Sequence, residues 1–209
     1  MPLLYSKHIS EQTVIYIWEI TETVEELEQL TSLPYVRSHT PISEKSQKEQ
    51  IAARALLSHA CNELSLQVTD IQKDEFGKPW LVGSDWHFSV SHTERFIAIV
   101  LDAKDAVGID LEKPSPKVTK VLARICSEQE IQSVKDSTFE HCLLWSAKEA
   151  LYKLYGKRKV DFKKHLKITR HETTWTGKIQ LDEHTSTTHN LYISCWKETY
   201  CLVVAYGRI

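Results

Sequence analysis

The stretch WHFSVSHTERFIAIVLDAKDAVGIDL, residues 86–111, reads as three strands in succession. Residues 86–91, 95–101 and 106–111 are rich in β-branched and aromatic side chains. The connections at Thr93-Glu94 and Ala103-Lys104-Asp105 are short enough for antiparallel neighbours. Upstream, residues 13–20 are apolar on both alternating sets, Val14, Tyr16, Trp18 and Ile20 against Ile15 and Ile17, which predicts a strand deep in a sheet. A long helix is expected over 44–64, introduced by Pro41 and a capping Ser43, with Ile51, Ala52, Ala55, Leu56, Ala60 and Leu64 facing the core. Phe76-Gly77-Lys78-Pro79 reads as a turn.

Downstream, Pro114 and Pro116 break the chain before a short helix over 117–126. Ser127-x-x-Glu130 fits a capping box. Residues 138–155 carry Phe139, Leu143, Ala147, Ala150, Leu151 and Leu154 at helical spacing, with Gly156 as the stop. Strands 191–196 and 200–206 close the chain around Lys197-Glu198-Thr199. Strand, helix, strands, then helices and strands again predicts an α+β fold of two similar halves, 1–104 and 105–209, each an antiparallel sheet packed with a long helix.

Composition narrows the function classes. At 209 residues the chain suits one large domain or two small ones and can bury a substantial core without a disulfide or metal staple. Its 26 basic and 28 acidic residues leave a net charge of −2, which argues against a general nucleic-acid binder. No apolar run, residues 96–101 included, approaches the length that crosses a membrane, and the start is not expected to be a signal peptide. Cys61, Cys126, Cys142, Cys195 and Cys201 form an odd set without a Cys-x-x-Cys pair, as expected of reduced thiols in the cytoplasm.

Four short motifs carry chemistry. In Gly108-Ile109-Asp110-Leu111-Glu112 the two acids share one face of a strand while Ile109 and Leu111 point into the core. Paired carboxylates there are either the hydrated end of a strand or ligands for a divalent cation, with oxygen donors favouring magnesium. In residues 145–153, Trp145, Glu149 and Lys153 lie along one helix face. Glu149 and Lys153 are either an exposed ion pair or a metal ligand followed by a phosphate contact. Phe88-Ser89-Val90-Ser91-His92 ends a strand with a hydroxyl and an imidazole that can both reach a phosphate, but it has no nucleophile elbow. Gly77-Lys78-Pro79 lacks P-loop spacing and offers instead a rigid turn with one ammonium.

Taken in order, these motifs resemble the 4′-phosphopantetheinyl transferase superfamily, in its larger, pseudo-dimeric, surfactin-synthetase-activating type. The resemblance runs over about residues 44–160. Thr93 and Leu111 depart from the usual residues without removing a group the chemistry needs. The resemblance implies transfer of the 4′-phosphopantetheine arm of coenzyme A to a serine of an apo acyl or peptidyl carrier protein, releasing adenosine 3′,5′-bisphosphate. It implies Mg²⁺ held by Asp110, Glu112 and Glu149, with Glu149 also in the place of the base and Lys153 on the transferred phosphate. It places Ser91 and His92 at the coenzyme A 3′-phosphate and Lys78 and Pro79 on the turn lining the adenosine pocket, with Lys45, Lys48 and Arg54 as further basic candidates. The site would lie between the halves of a monomer. Lys117, Lys120 and Arg124 fall on one helix face, opposite Val118, Leu122 and Ile125, and are either solvated or a docking stripe for an acidic carrier; Lys157-Arg158-Lys159 is a second basic cluster. The competing readings are a Mg²⁺-dependent coenzyme A pyrophosphohydrolase and a non-catalytic module that binds carrier or coenzyme A.

Overall fold

A computed structural model describes residues 3–35 and 43–208 of the chain. The elements run β1 (Leu3–His8), β2 (Thr13–Glu19), α1 (Val24–Leu30), α2 (Glu44–Leu64), β3 (Asp70–Lys73), β4 (Pro79–Val82), β5 (His87–Thr93), β6 (Phe96–Asp102) and β7 (Gly108–Glu112). They continue with α3 (Pro116–Ile125), α4 (Glu128–Gln132), α5 (Thr138–Tyr155), α6 (Phe162–His165), β8 (Leu166–His171), β9 (Thr174–Gln180), β10 (Ser186–Trp196) and β11 (Tyr200–Arg208). One antiparallel sheet has the order β1-β2-β6-β5, a second β7-β11-β10-β9-β8, and β3-β4 form a separate hairpin. This is an α+β fold.

The layers follow from alternation along the strands. Val14, Tyr16 and Trp18 of β2, with Ile97, Ile99 and Leu101 of β6, pack beneath Ile51, Ala52, Ala55 and Leu56 of α2. The alternate residues Ile15, Ile17, Ala98 and Val100 face the second sheet and meet Ile109, Leu111, Leu202 and Val204. Beyond that sheet, Leu143, Leu144, Ala147, Ala150 and Leu151 of α5 close the third core. The order of layers is therefore helix, sheet, sheet, helix, which is why β2 is apolar on both faces. Ser43 caps α2 by accepting from the Ser46 amide, and Ser127 and Glu130 complete the capping box of α4. The Pro41 expected before α2 lies outside the described residues.

One topological expectation is corrected. β7 does not pair with β6; it pairs with β11 and so begins the second sheet. The Asp102 carboxylate accepts from the Lys104 and Asp105 amides and turns the chain out of the first sheet. Burial of Ile109 and Leu111 between the sheets then fixes where β7 lands. The sequence reading also passed over β1, α1, β3, β4, β8, β9 and α6, and began β10 five residues late. Among the described residues no helix is long and apolar enough to cross a membrane. The five cysteines are free thiols, and of them only Cys195 is exposed.

Gly108 sets the distance between β7 and α5. A Cβ there would stand 2.0 Å from the Ala150 carbonyl oxygen and 2.5 Å from the Leu154 amide nitrogen, both backbone atoms that cannot step aside. A methyl group at this position forces strand and helix apart. Gly108→Ala is expected to cost about 2 kcal/mol or more, roughly 5 °C in Tm, by overpacking. A thermal melt that matches the wild type would mean that β7 does not need this close approach.

Candidate active site

β7 is flanked by β11 on one side and by β5 on the other, but the β5 contact is not an ordinary strand ladder. The Ser89 hydroxyl accepts from the Ile109 amide at 3.3 Å and the Ser91 hydroxyl from the Leu111 amide at 3.1 Å. Two serines spaced by two thus join the sheets, and both are buried. Lys153 of α5 completes the joint. Its Nζ donates to the Ile109 carbonyl at 2.8 Å, to Asp110 Oδ1 at 2.9 Å and to Ser91 Oγ at 3.1 Å. The Ser91 hydroxyl donates in turn to Asp110 Oδ1 at 3.2 Å. Lys153 therefore forms its ion pair across the joint with Asp110, not along its own helix with Glu149.

Asp110 is buried, and its second oxygen, Oδ2, has no hydrogen-bond partner. An unpaired buried carboxylate oxygen is costly, so the environment asks for a cation or donor at that point. Glu112 and Glu149 stand in the same field. Burial, followed by the Asp110 charge, raises the Glu112 carboxyl above its usual range. Burial and then Asp110 push the Glu149 carboxyl up to about 7, against a partly compensating pull from Lys153. Among the described residues no three His, Cys, Asp or Glu side chains form a ready-made metal cage. The donor chemistry nevertheless fits a hard divalent cation: an orphaned buried oxygen, with two more carboxylates disfavoured as anions by burial and by their neighbours' charge.

From this joint a cleft runs along the far face of β5. A smaller cavity of ≈ 140 Å³ touches Tyr152, Lys153 and Gly156, and a larger one of ≈ 470 Å³ reaches Glu49, Arg54 and His92. Gly77, Pro79, Phe88 and Val90 line both, so the two adjoin along β4 and β5. Alternation along β5 sends Ser91 into the joint and His92 into the cleft, so these neighbours work on opposite sides of the strand.

The other expected residues fall in different places. Pro79 lines the cleft wall. The Lys78 ammonium donates to the Leu154 carbonyl at the end of α5, and burial lowers its pKa. Its stem covers Gly156, at φ +71°, where a Cβ would come within 2.2 Å of Lys78 Cδ. Arg54 lines the larger cavity, but its Nε donates to the Pro34 carbonyl at 2.9 Å and its Nη1 to the Gln50 carbonyl at 3.2 Å. Lys45 lies 3.8 Å from Glu49, while Lys48 is not among the residues lining the cleft. On α3, Lys117, Lys120 and Arg124 are exposed and Val118, Leu122 and Ile125 are buried, giving the two faces their expected character. In the second basic cluster, Arg158 Nε donates to the Phe76 carbonyl at 3.3 Å.

Three residues in this region were not singled out from the sequence. Ser89 joins the sheets. Glu49 meets His92, with 3.4 Å between Oε1 and Nδ1. Lys148, beside Glu149, is fully buried and pairs with Glu130 at 2.7 Å while donating to the Phe162 and Leu166 carbonyls. Glu130 also accepts from the Ser127 and Ile168 amides, each at 2.7 Å, so one carboxylate ties together α4, α5 and β8. The Ser127-x-x-Glu130 signal located that acid, but nothing in its spacing named its lysine.

Comparison with known proteins adds an independent finding. Residues 106–205 match the family model of the 4′-phosphopantetheinyl transferase superfamily. A Bacillus subtilis 4′-phosphopantetheinyl transferase is 35% identical over 91 residues, covering 40% of this chain and 39% of the relative. A Haemophilus influenzae protein provisionally assigned the same activity is 30% identical over 99 residues, covering 43% of this chain and 41% of the relative. The chain thus matches about two fifths of the length of these relatives.

The raised Glu149 carboxyl has a thermodynamic consequence for the metal-free protein. A carboxyl with a folded-state pKa above its unfolded one stabilises the fold while protonated, and that contribution disappears as pH rises from the usual carboxylate range through about 7. Thermal melts without divalent metal should therefore show a Tm that falls between about pH 5 and pH 8 by more in the wild type than in Glu149→Gln. Parallel pH profiles for the two proteins would place Glu149 in an ordinary solvated environment.

Proposed function

We propose that this chain, whose residues 106–205 match the family model of the 4′-phosphopantetheinyl transferase superfamily, transfers the 4′-phosphopantetheine arm of coenzyme A to a serine of an apo acyl or peptidyl carrier protein and releases adenosine 3′,5′-bisphosphate. The observation that carries this reading is the unpartnered Asp110 Oδ2, on a carboxylate whose other oxygen binds Lys153, a residue that lines the smaller cavity. Segments 1–104 and 105–209 would act as two halves of a monomer with the site at their joint. Free thiols suit a reducing compartment such as the cytoplasm.

Asp110, Glu112 and Glu149 would hold Mg²⁺, which supplies charge neutralisation at the pyrophosphate when bound. Lys153 is held beside the smaller cavity by Asp110, Ser91 and the Ile109 carbonyl, which take its three donors, so a phosphate arriving from that cavity would replace one of them while the others keep the ammonium in place. Glu149 would also stand in the place of the base that takes the proton of the incoming serine hydroxyl, directly or through water. His92, at the other end of the cleft, would meet the 3′-phosphate. The exposed Lys117, Lys120 and Arg124 would attract an acidic carrier.

The test is incubation with coenzyme A, Mg²⁺ and an apo carrier protein, followed by intact mass of the carrier. Wild type should add the phosphopantetheine mass to the carrier, and Asp110→Asn or excess chelator should abolish the addition. In the same assay, charge reversal at Lys120 and Arg124 should raise the KM for carrier at low salt and flatten its salt dependence. Coenzyme A cleavage without carrier modification would overturn the transferase reading. A wild-type rate in Asp110→Asn would overturn the metal assignment, and an unaltered carrier KM would leave the basic stripe a solvated surface.

A further inference from the structure

We infer that Glu49 is a positioning residue that holds the His92 imidazole for a phosphate monoester at the outer end of the cleft. This rests on the coenzyme A reading above and names the group that makes its 3′-phosphate site selective. Glu49 belongs to α2 and His92 to the end of β5, so the pair spans the larger cavity from opposite elements. Their side chains differ in freedom: Glu49 is 13% exposed and His92 55%. The anchored carboxylate therefore orients the freer ring. Glu49 is itself steadied by Lys45 one helical turn earlier, at 3.8 Å.

A carboxylate lining a phosphate cleft demands a reason, because it repels the ligand. The arrangement of the imidazole supplies one. Glu49 Oε1 stands 3.4 Å from Nδ1, so the ring's Nε2 edge is turned away from α2 and is the edge a ligand can use. In the charged ring both nitrogens carry protons, and the imidazolium can bridge two anions, Glu49 on one edge and a phosphate on the other. The two attractions act at contact, whereas the repulsion between the anions acts across the full width of the ring, so attraction prevails. Of the other cations nearby, two are partly committed to the main chain. Arg54 Nε and Nη1 donate to main-chain carbonyls, the Lys78 ammonium donates to the Leu154 carbonyl, and Lys73 lines the cavity on an exposed, four-residue strand.

The experiment measures equilibrium binding of coenzyme A and dephospho-coenzyme A by calorimetry to the wild type, Glu49→Gln, His92→Ala and the double variant. These ligands differ only in the 3′-phosphate, so general loosening of α2 weakens both and leaves their affinity ratio alone. Wild type should prefer coenzyme A. Glu49→Gln should shrink that preference by about fivefold or more, as should His92→Ala, and the double variant should lose no more than His92→Ala alone. A wild-type affinity ratio in Glu49→Gln, or losses that simply add in the double variant, would overturn the inference. Absence of any preference in the wild type would instead overturn the underlying placement of the 3′-phosphate, a result the Glu49 variant alone could not produce.

Discussion

The main-chain amides of Ile109 and Leu111 are satisfied not by a neighbouring backbone but by the hydroxyls of Ser89 and Ser91, and Lys153 closes the same joint from α5. Buried amides must find acceptors, and a side-chain hydroxyl has spare capacity that a ladder carbonyl lacks. Ser91 uses that capacity fully: it accepts from Leu111 and Lys153 and donates to Asp110. The joint that holds the two sheets together is thereby the same set of bonds that aims the candidate catalytic groups. Gly108 permits it by letting β7 lie against the backbone of α5.

Helix α5 contains two lysines with opposite fates. Lys148 is sealed, paired with a Glu130 that is also served by two amides, so every charge there has partners. Breaking such a buried pair costs about 3–5 kcal/mol, which makes it a fixed brace for the helix. Lys153 is partly exposed and pairs with only one oxygen of Asp110. One ion pair is fully satisfied; the other leaves a buried oxygen without a partner. That difference in satisfaction, not the presence of charge, separates brace from candidate site.

Much of this was legible in the sequence where local signals and tertiary demands agree. The bounds of α2 and α5 followed from capping residues and apolar stripes, and the facing of Asp110 and Glu112 from strand alternation. Legibility failed where a contact is chosen by tertiary placement. Spacing of four offers Lys153 to Glu149, but the fold gives it to Asp110. A short link offers β7 to β6, but burial on both faces sends it to β11. Adjacency groups Ser91 with His92, yet the pleat of β5 parts them. β8 and β9 carry the alternation of half-buried strands, one face buried and the other partly exposed, and were passed over in spite of it.

The account turns on the unpartnered oxygen of Asp110 being a cation site. Titration of the protein with Mn²⁺, read by loss of the free-ion electron paramagnetic resonance signal, measures this without substrate or carrier. One saturable site in the wild type, weakened at least tenfold by Asp110→Asn and also by Glu112→Gln, is the expected result. Equal Mn²⁺ affinity in wild type and Asp110→Asn would contradict it and leave the Lys153–Asp110 pair as a second structural brace.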